Sequence, residues 1–251
     1  MTGEIETAVI VPARLASQRF PRKLLASLRG RPLILWTAAA IKKAAPGLPL
    51  YFAVAEAELA RALQDEGFQT VLTDPDLPSG TDRLAAANRQ IGARKVLNVQ
   101  ADEPLVSENQ IQVLRRLLED SEAEMATLAT PFESPEAFRN ENNVKVVRGA
   151  EGQALYFSRA PIPYPRGNYE RLDVAWLRSA GCLHHLGLYG YRAAFLEQFS
   201  GWPAGRLEQA ERLEQLRALE RGCRIAVGVV NERTVGVDTP EDLAAVEALL
   251  Q

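Results

Sequence analysis

Apolar positions along this chain come in two rhythms, and their order sketches a fold. Ala8-Val9-Ile10-Val11 is an unbroken apolar run that reads as a buried strand, and Pro32 opens an apolar helical stretch from Leu33 to Ala45 that Pro46-Gly47 stops. Leu50 to Val54 predicts the next strand, Glu58 to Glu66 a helix ended by Gly67, and Gln69 to Thr73 a third strand before the turn-rich Asp74-Pro75-Asp76-Leu77-Pro78. Ser79-Gly80-Thr81-Asp82 caps a helix to about Gly92, strand Lys95 to Gln100 follows, and Ser107 with Gln110 forms a capping box for a helix reaching Leu118. This alternation predicts an α/β fold with a mainly parallel central sheet and helices on both faces, which binds ligands at the carboxyl ends of its strands. Arg14, Ser79 and Asp102 fall at such ends.

After Met125 the rhythm changes. Asn143 to Arg148 and Gln153 to Ser158 alternate around the turn Gly149-Ala150-Glu151-Gly152, as a hairpin does. A run with Pro161, Pro163 and Pro165 leads to the aromatic strand Leu186 to Tyr191, so about 143–191 reads as an antiparallel arm or insertion. A helix from Arg206 to about Arg221 comes next. Arg224 to Val230 and Thr234 to Val237 then return to the sheet, and Thr239-Pro240 caps the last helix. With no repeat, low-complexity tract or boundary-like linker, 1–251 is expected to be a single domain.

Composition narrows the class. A formal charge of -3 over 251 residues argues against a nucleic-acid partner, and the cationic residues near the amino terminus are a local feature. Cys182 and Cys223 lie far apart with no metal-ligand spacing, so both are expected to be reduced thiols. The apolar run at Ala8 is too short for a signal sequence or a membrane span, which makes the cytoplasm the expected compartment and leaves no membrane partner.

Candidate chemistry gathers in three places. Arg14, Ser17, Arg19 and Lys23 follow the first strand, and guanidinium and ammonium groups at a sheet edge suit phosphate oxygens. Ser79-Gly80-Thr81, with Arg83 one residue into the helix, offers hydroxyls and free amides at a helix start. Asn98-Val99-Gln100-Ala101-Asp102-Glu103-Pro104 runs an apolar strand into an acidic pair, and Val237-Asp238-Thr239-Pro240-Glu241-Asp242 supplies a second carboxylate. Magnesium takes one or two carboxylates together with phosphate oxygens. Spacing alone leaves Glu103 and Glu241 open as ligands beside Asp102 and Asp238. His184 and His185 alternate in a strand, so one faces the sheet interior, and with no serine or cysteine partner a nucleophilic triad is rejected. No GxGxxG follows the first strand, which excludes a dinucleotide oxidoreductase.

These blocks, with Ile10-Val11-Pro12-Ala13-Arg14, Ala154-Leu155-Tyr156-Phe157-Ser158-Arg159, His185-Leu186-Gly187-Leu188-Tyr189-Gly190-Tyr191 and Leu213-Glu214-Gln215-Leu216-Arg217, resemble the 3-deoxy-manno-octulosonate cytidylyltransferase family over nearly the whole chain. The resemblance implies a nucleotide-diphospho-sugar transferase fold and a homodimer. It also implies transfer of CMP from CTP to the anomeric hydroxyl of 3-deoxy-D-manno-octulosonate (KDO), with release of pyrophosphate, for lipopolysaccharide precursor synthesis. By position, Arg14 and Lys23 hold the triphosphate, with Ser17 and Arg19 beside them, and Ser79, Gly80, Arg83 and Gln100 seat the nucleotide. Asp102 and Asp238 bind Mg²⁺. Gln100, Arg159, His185, Tyr189, Glu214 and Gln215 surround the sugar acid.

The chain departs from the family pattern at four places. Arg22 stands where the family usually has glycine and Leu24 where it often has proline, so the phosphate loop is expected to adapt its conformation. Ala55-Glu56 replaces a usual Thr-Asp, and Ala101 a glycine. The rival readings are the same chemistry on another acid sugar, an 8-amino-KDO or a nonulosonic acid, and a nucleotide-binding paralogue without turnover.

Overall fold

The structure, a computed structural model, describes residues 4–17, 19–167 and 169–250. Its strands are β1 Thr7–Ala13, β2 Ser27–Leu28, β3 Arg31–Pro32, β4 Leu50–Val54, β5 Gln69–Leu72, β6 Lys95–Asn98, β7 Met125–Pro131, β8 Lys145–Arg148, β9 Ala154–Ser158, β10 Leu183–Arg192 and β11 Ile225–Val229. Its α-helices are α1 Leu33–Ala44, α2 Ala57–Gln64, α3 Gly80–Ile91, α4 Glu108–Asp120, α5 Pro135–Arg139, α6 Val174–Ser179, α7 Ala193–Ser200, α8 Arg206–Glu211, α9 Leu216–Glu220 and α10 Pro240–Leu249. The chain packs as two compact units, one drawn from Met1–Gln112, Gly190–Ser200 and Thr234–Gln251, the other from Val113–Tyr189 and Gly201–Arg233.

In the first unit β1 lies between β6 and β4, with β5 outside β4, and every pair is parallel. Ala8 to Val11 are wholly buried, as a strand without polar alternation must be when its sheet is covered. Leu33, Ile34 and Ile41 of α1 and Leu84 and Ala87 of α3 are fully buried too. The β2–β3 pin carries Leu28 into a small cluster with Leu33, Val237 and Val246, which seats α10. Ser79 caps α3 by accepting from the Asp82 amide at 3.1 Å, and Ser107 and Gln110 exchange the two bonds of the expected capping box.

The second unit mixes directions. β7 and β11 pair in parallel, whereas β8 and β9 form the expected antiparallel hairpin and β10 runs antiparallel to β8. Gly228 in β11 leaves no room for a Cβ beside α4: one there would meet Val113 Cγ1 at 2.7 Å and Leu117 Cδ1 at 2.9 Å. Phe132, Phe138, Leu172, Leu177 and Cys182 form a separate apolar cluster.

Two expected elements differ. The helix from Arg206 to Arg221 is broken into α8 and α9, because Arg212 takes a left-handed conformation (φ 53) that ends the first helix. Thr234 to Val237 is not a strand. The Asp238 and Thr239 amides next to it both donate to the Asp242 carboxylate of the α10 cap, which turns the chain away from ladder pairing.

Candidate active site

All ten of the phosphate, nucleotide and metal candidates in the first unit, Arg14, Ser17, Arg19, Lys23, Ser79, Gly80, Arg83, Gln100, Asp102 and Asp238, line one cavity of about 470 Å³. The cavity opens at the carboxyl ends of β1 and β6 and at the start of α3, whose first-turn amides favour an anion. At its centre the Lys23 ammonium donates to Asp102 Oδ2 at 2.5 Å and to Asp238 Oδ1 at 2.8 Å, and Arg19 reaches Asp238 Oδ2 at 2.7 Å. Burial alone would pull the Lys23 pKa down, but the Asp102 and Asp238 carboxylates outweigh it and hold it above the ordinary lysine value. Asp238 shows the converse. Burial pushes its carboxyl up, and the bonds and charges of Lys23 and Arg19 bring it below the usual range.

Arg83 is 2% exposed and donates through Nη1 to Thr73 Oγ1 at 2.5 Å and to the Asp74 carbonyl at 3.1 Å, while its buried Nη2 has no partner. Burial lowers its pKa. An unsatisfied charged donor on a cavity wall costs stability until an acceptor arrives, which suits a phosphate or base oxygen. Glu103, one residue past Asp102, is buried, and burial followed by the Asp102 charge pushes its pKa up to about 8.

The departures from the family pattern have a local logic. Arg22 adopts φ 58, ψ 25, a left-handed conformation natural to glycine, and its side chain leaves the cavity to pair with Glu58 at 2.6 Å. Glu56 accepts from the Leu15 amide at 3.0 Å. Both ends of the phosphate loop are thus tied to acidic residues at the start of α2, a role for Glu56 that the sequence reading missed.

The second unit holds the remaining sugar candidates. The His185 and Tyr189 rings pack 5.4 Å apart on β10, and His185 is buried, which drives its pKa down to about 3. Arg159 follows β9. Its Nε donates to the Glu211 carbonyl at 2.8 Å and its Nη1 to the Glu141 carbonyl at 3.1 Å, and among the described residues its guanidinium makes no ion pair. Its own amide donates to Glu211 Oε2 at 2.9 Å, and its carbonyl accepts from the fully buried Lys145 Nζ at 2.7 Å. Arg159 is therefore fixed on both sides of its backbone, with its charge left for an anion. Lys145 is another residue the sequence reading missed. Burial, then the Arg159 charge, lowers it to about 8. Gln215, at the start of α9, is 4% exposed with its Nε2 unpartnered, and Glu214 pairs with Arg217 at 3.4 Å.

Residues 8–225 match the cytidylyltransferase family. The 3-deoxy-manno-octulosonate cytidylyltransferase of Bdellovibrio bacteriovorus is 44% identical over 242 residues, covering 96% of each chain. That of an Anaeromyxobacter species is 45% identical over 245 residues, covering 97% of this chain and 96% of its own. The solved structure of a CMP:2-keto-3-deoxy-manno-octonic acid synthetase complexed with CTP superposes with a TM-score of 0.88 at 34% identity over 98% of both chains. A cytidylyltransferase from Leptospira borgpetersenii shares the fold at a TM-score of 0.61 and 11% identity. With this agreement along its whole length, the chain belongs to the cytidylyltransferase family, among the 3-deoxy-manno-octulosonate cytidylyltransferases.

Proposed function

We propose that this protein transfers CMP from CTP to the anomeric hydroxyl of KDO, giving CMP-KDO and pyrophosphate for lipopolysaccharide precursor synthesis. The observation that carries the reading is the 44% identity over 96% of the chain to a 3-deoxy-manno-octulosonate cytidylyltransferase. The anomeric oxygen forms a bond to the α-phosphorus, the bond from that phosphorus to the pyrophosphate oxygen breaks, and the hydroxyl proton passes to solvent. Negative charge grows on the phosphate oxygens during this exchange, and preorganised cations are the main means of stabilising it. Arg14, Arg19 and Lys23 serve that purpose on the triphosphate, and Ser17, Ser79, Gly80, Arg83 and Gln100 seat the nucleotide.

Asp102 and Asp238 are assigned as the Mg²⁺ ligands. Two carboxylates that already converge on one ammonium, with oxygen the only donor type, suit this ion. When bound, Mg²⁺ supplies charge neutralisation on phosphate and a lowered pKa for a coordinated hydroxyl. Arg159, held by carbonyls alone, pairs with the sugar carboxylate in the forked geometry of a guanidinium. His185 stays neutral and acts by hydrogen bonding, and Gln100, Tyr189, Glu214 and Gln215 are likewise assigned to the sugar acid. The protein works as a homodimer in the cytoplasm on these two small-molecule substrates. Among the described residues no helix is long and apolar enough to cross a membrane.

The test is direct. Purified protein with CTP, KDO and Mg²⁺ should release pyrophosphate and form CMP-KDO, identified by mass. Silence with every 3-deoxy acid sugar supplied would overturn the assignment.

A further inference from the structure

Thr127 lies in β7, wholly buried, and its hydroxyl has three polar neighbours: the Leu188 carbonyl at 2.8 Å, the Leu186 carbonyl at 3.2 Å and His185 Nε2 at 3.0 Å. A hydroxyl has one proton to give, and carbonyl oxygens can only accept. Were that proton given to His185, two carbonyl oxygens would face bare hydroxyl lone pairs in a buried place, where the repulsion is little screened. The proton is committed to a carbonyl, so Nε2 must be the donor in its contact with Thr127. Burial keeps His185 uncharged, and a neutral imidazole carries a single N–H. Nδ1 is then a bare acceptor, and among the described residues it has no hydrogen-bond partner. The ring cannot easily turn to exchange the two nitrogens. It packs edge-on to Phe157 at 5.0 Å and against Tyr189 at 5.4 Å, and the His185 amide is tied to the Val144 carbonyl at 2.8 Å.

We infer that Thr127 is a positioning residue that holds His185 in the Nε2–H tautomer, so that Nδ1 accepts a hydrogen bond from a hydroxyl of the bound sugar acid. The second half of this inference rests on the function proposed above; the first does not. Its chemical consequence is selection: a bare Nδ1 accepts from a hydroxyl donor and gains nothing from an analogue that lacks one at that position.

The chain has only two histidines, so ¹⁵N labelling of histidine reports two imidazoles, and His184→Gln assigns them. The free protein should show His185 neutral and protonated at Nε2 throughout the range in which it stays folded near neutral pH. A ring protonated at Nδ1, or a fast average of the two tautomers, overturns the inference. Thr127→Val keeps the shape and removes the hydroxyl. It should yield a tautomer mixture and a rise of roughly tenfold in KM for KDO, the size of one lost neutral hydrogen bond, with KM for CTP little changed. Thr127→Ser restores the hydroxyl and should restore both readouts, and it decides the matter should the valine variant fail to fold. An unchanged ring spectrum in Thr127→Val overturns the positioning role of Thr127. KDO added with a non-hydrolysable CTP analogue should move the Nδ1 resonance. An unmoved Nδ1 overturns the sugar contact even where the tautomer holds, whereas failure of the pyrophosphate assay overturns the proposed function and leaves the tautomer measurement standing.

Discussion

Asp102 and Asp238 share one ammonium but sit in different surroundings, and that difference separates a structural role from a catalytic one. The Lys23–Asp102 contact joins side chains that are 13% and 23% exposed, while the Asp238 side chain is 45% exposed. A hydrogen bond to a charged group is worth about 1.5–3 kcal/mol when well buried, and Asp102→Asn keeps the acceptor oxygen while losing the charge, so it should cost about 1–2 kcal/mol. For a chain of this length that lowers Tm by roughly 2–8 °C. Discounted for exposure, Asp238→Asn should cost less than about 1 kcal/mol. Turnover should not follow this order. If both carboxylates hold Mg²⁺, each variant removes a charge from the transition state, an effect of about 3–4 kcal/mol or roughly 10²–10³ in kcat. The assay pairs circular-dichroism melting with pyrophosphate release at saturating Mg²⁺ and CTP. Asp238→Asn is the sharper variant, expected to melt nearly as the parent does and to be almost inactive. Turnover within several-fold of the parent would refute the metal assignment for that residue, however the stability behaves.

The same network sets a pH window. Lys23 is raised above 10.5, so its contribution is complete below that pH and is lost as pH rises through the folded value. Asp238 is lowered below 3.8, so its contribution is complete above that pH and is lost as pH falls through the folded value. The Tm difference between parent and Asp238→Asn should stay flat across neutral pH and shrink only in strong acid.

Arg22→Gly keeps the left-handed conformation but removes the Cβ that makes it costly, and should leave Tm unchanged or raised by roughly 2–4 °C, with the pyrophosphate rate within several-fold of the parent; a large gain of activity would mean that Arg22 obstructs the site. His184 is lowered to about 4 by burial and then by the charges of Arg233 and Lys145. The unfolded chain therefore takes up that proton first, and stability falls as pH drops from 6.5 towards 4. His184→Gln should flatten this part of the Tm–pH curve, and an unchanged slope would contradict it. Light scattering at working concentration should report a dimer, and a monomer would contradict the homodimer reading.

Much of the first unit was legible because its signals are local. Leu50–Val54 was read to the residue from an apolar run, and the caps at Ser79, Ser107 and Thr239 from side chains that bond amides three residues away. β7 was not read. Met-Ala-Thr-Leu-Ala-Thr-Pro carries small residues and threonines in place of an apolar run, and the Thr127 hydroxyl is tolerated in the interior only because β10 supplies carbonyls some 60 positions away. The break at Arg212 was hidden for a similar reason, since nothing in an arginine announces a positive φ. The residues of the large cavity could be listed because they follow strand ends. The supports of Arg159 could not, because Lys145 and Glu211 lie 14 and 52 positions from it and meet it only in the fold.

Charge explains why two carboxylates belong in a cavity that otherwise looks built for phosphate. Arg14, Arg19, Lys23 and Arg83 line it with four positive groups against the two negative ones of Asp102 and Asp238, a formal balance of +2. A nucleoside triphosphate near neutral pH carries roughly −4, because its terminal phosphate is mostly doubly ionised there. Without the two aspartates the side chains alone would come close to neutralising the ligand. With them the site falls short by about two charges, the amount a divalent cation supplies, and the groups that create the shortfall are the oxygen donors that would hold it. In the structure the Lys23 ammonium lies between the two carboxylates, and their charges and hydrogen bonds hold its pKa above the ordinary lysine value against the effect of burial. On the proposed assignment, the aspartates would make full charge neutralisation of the triphosphate depend on an added cation, where arginines and lysine alone would bind the nucleotide without one.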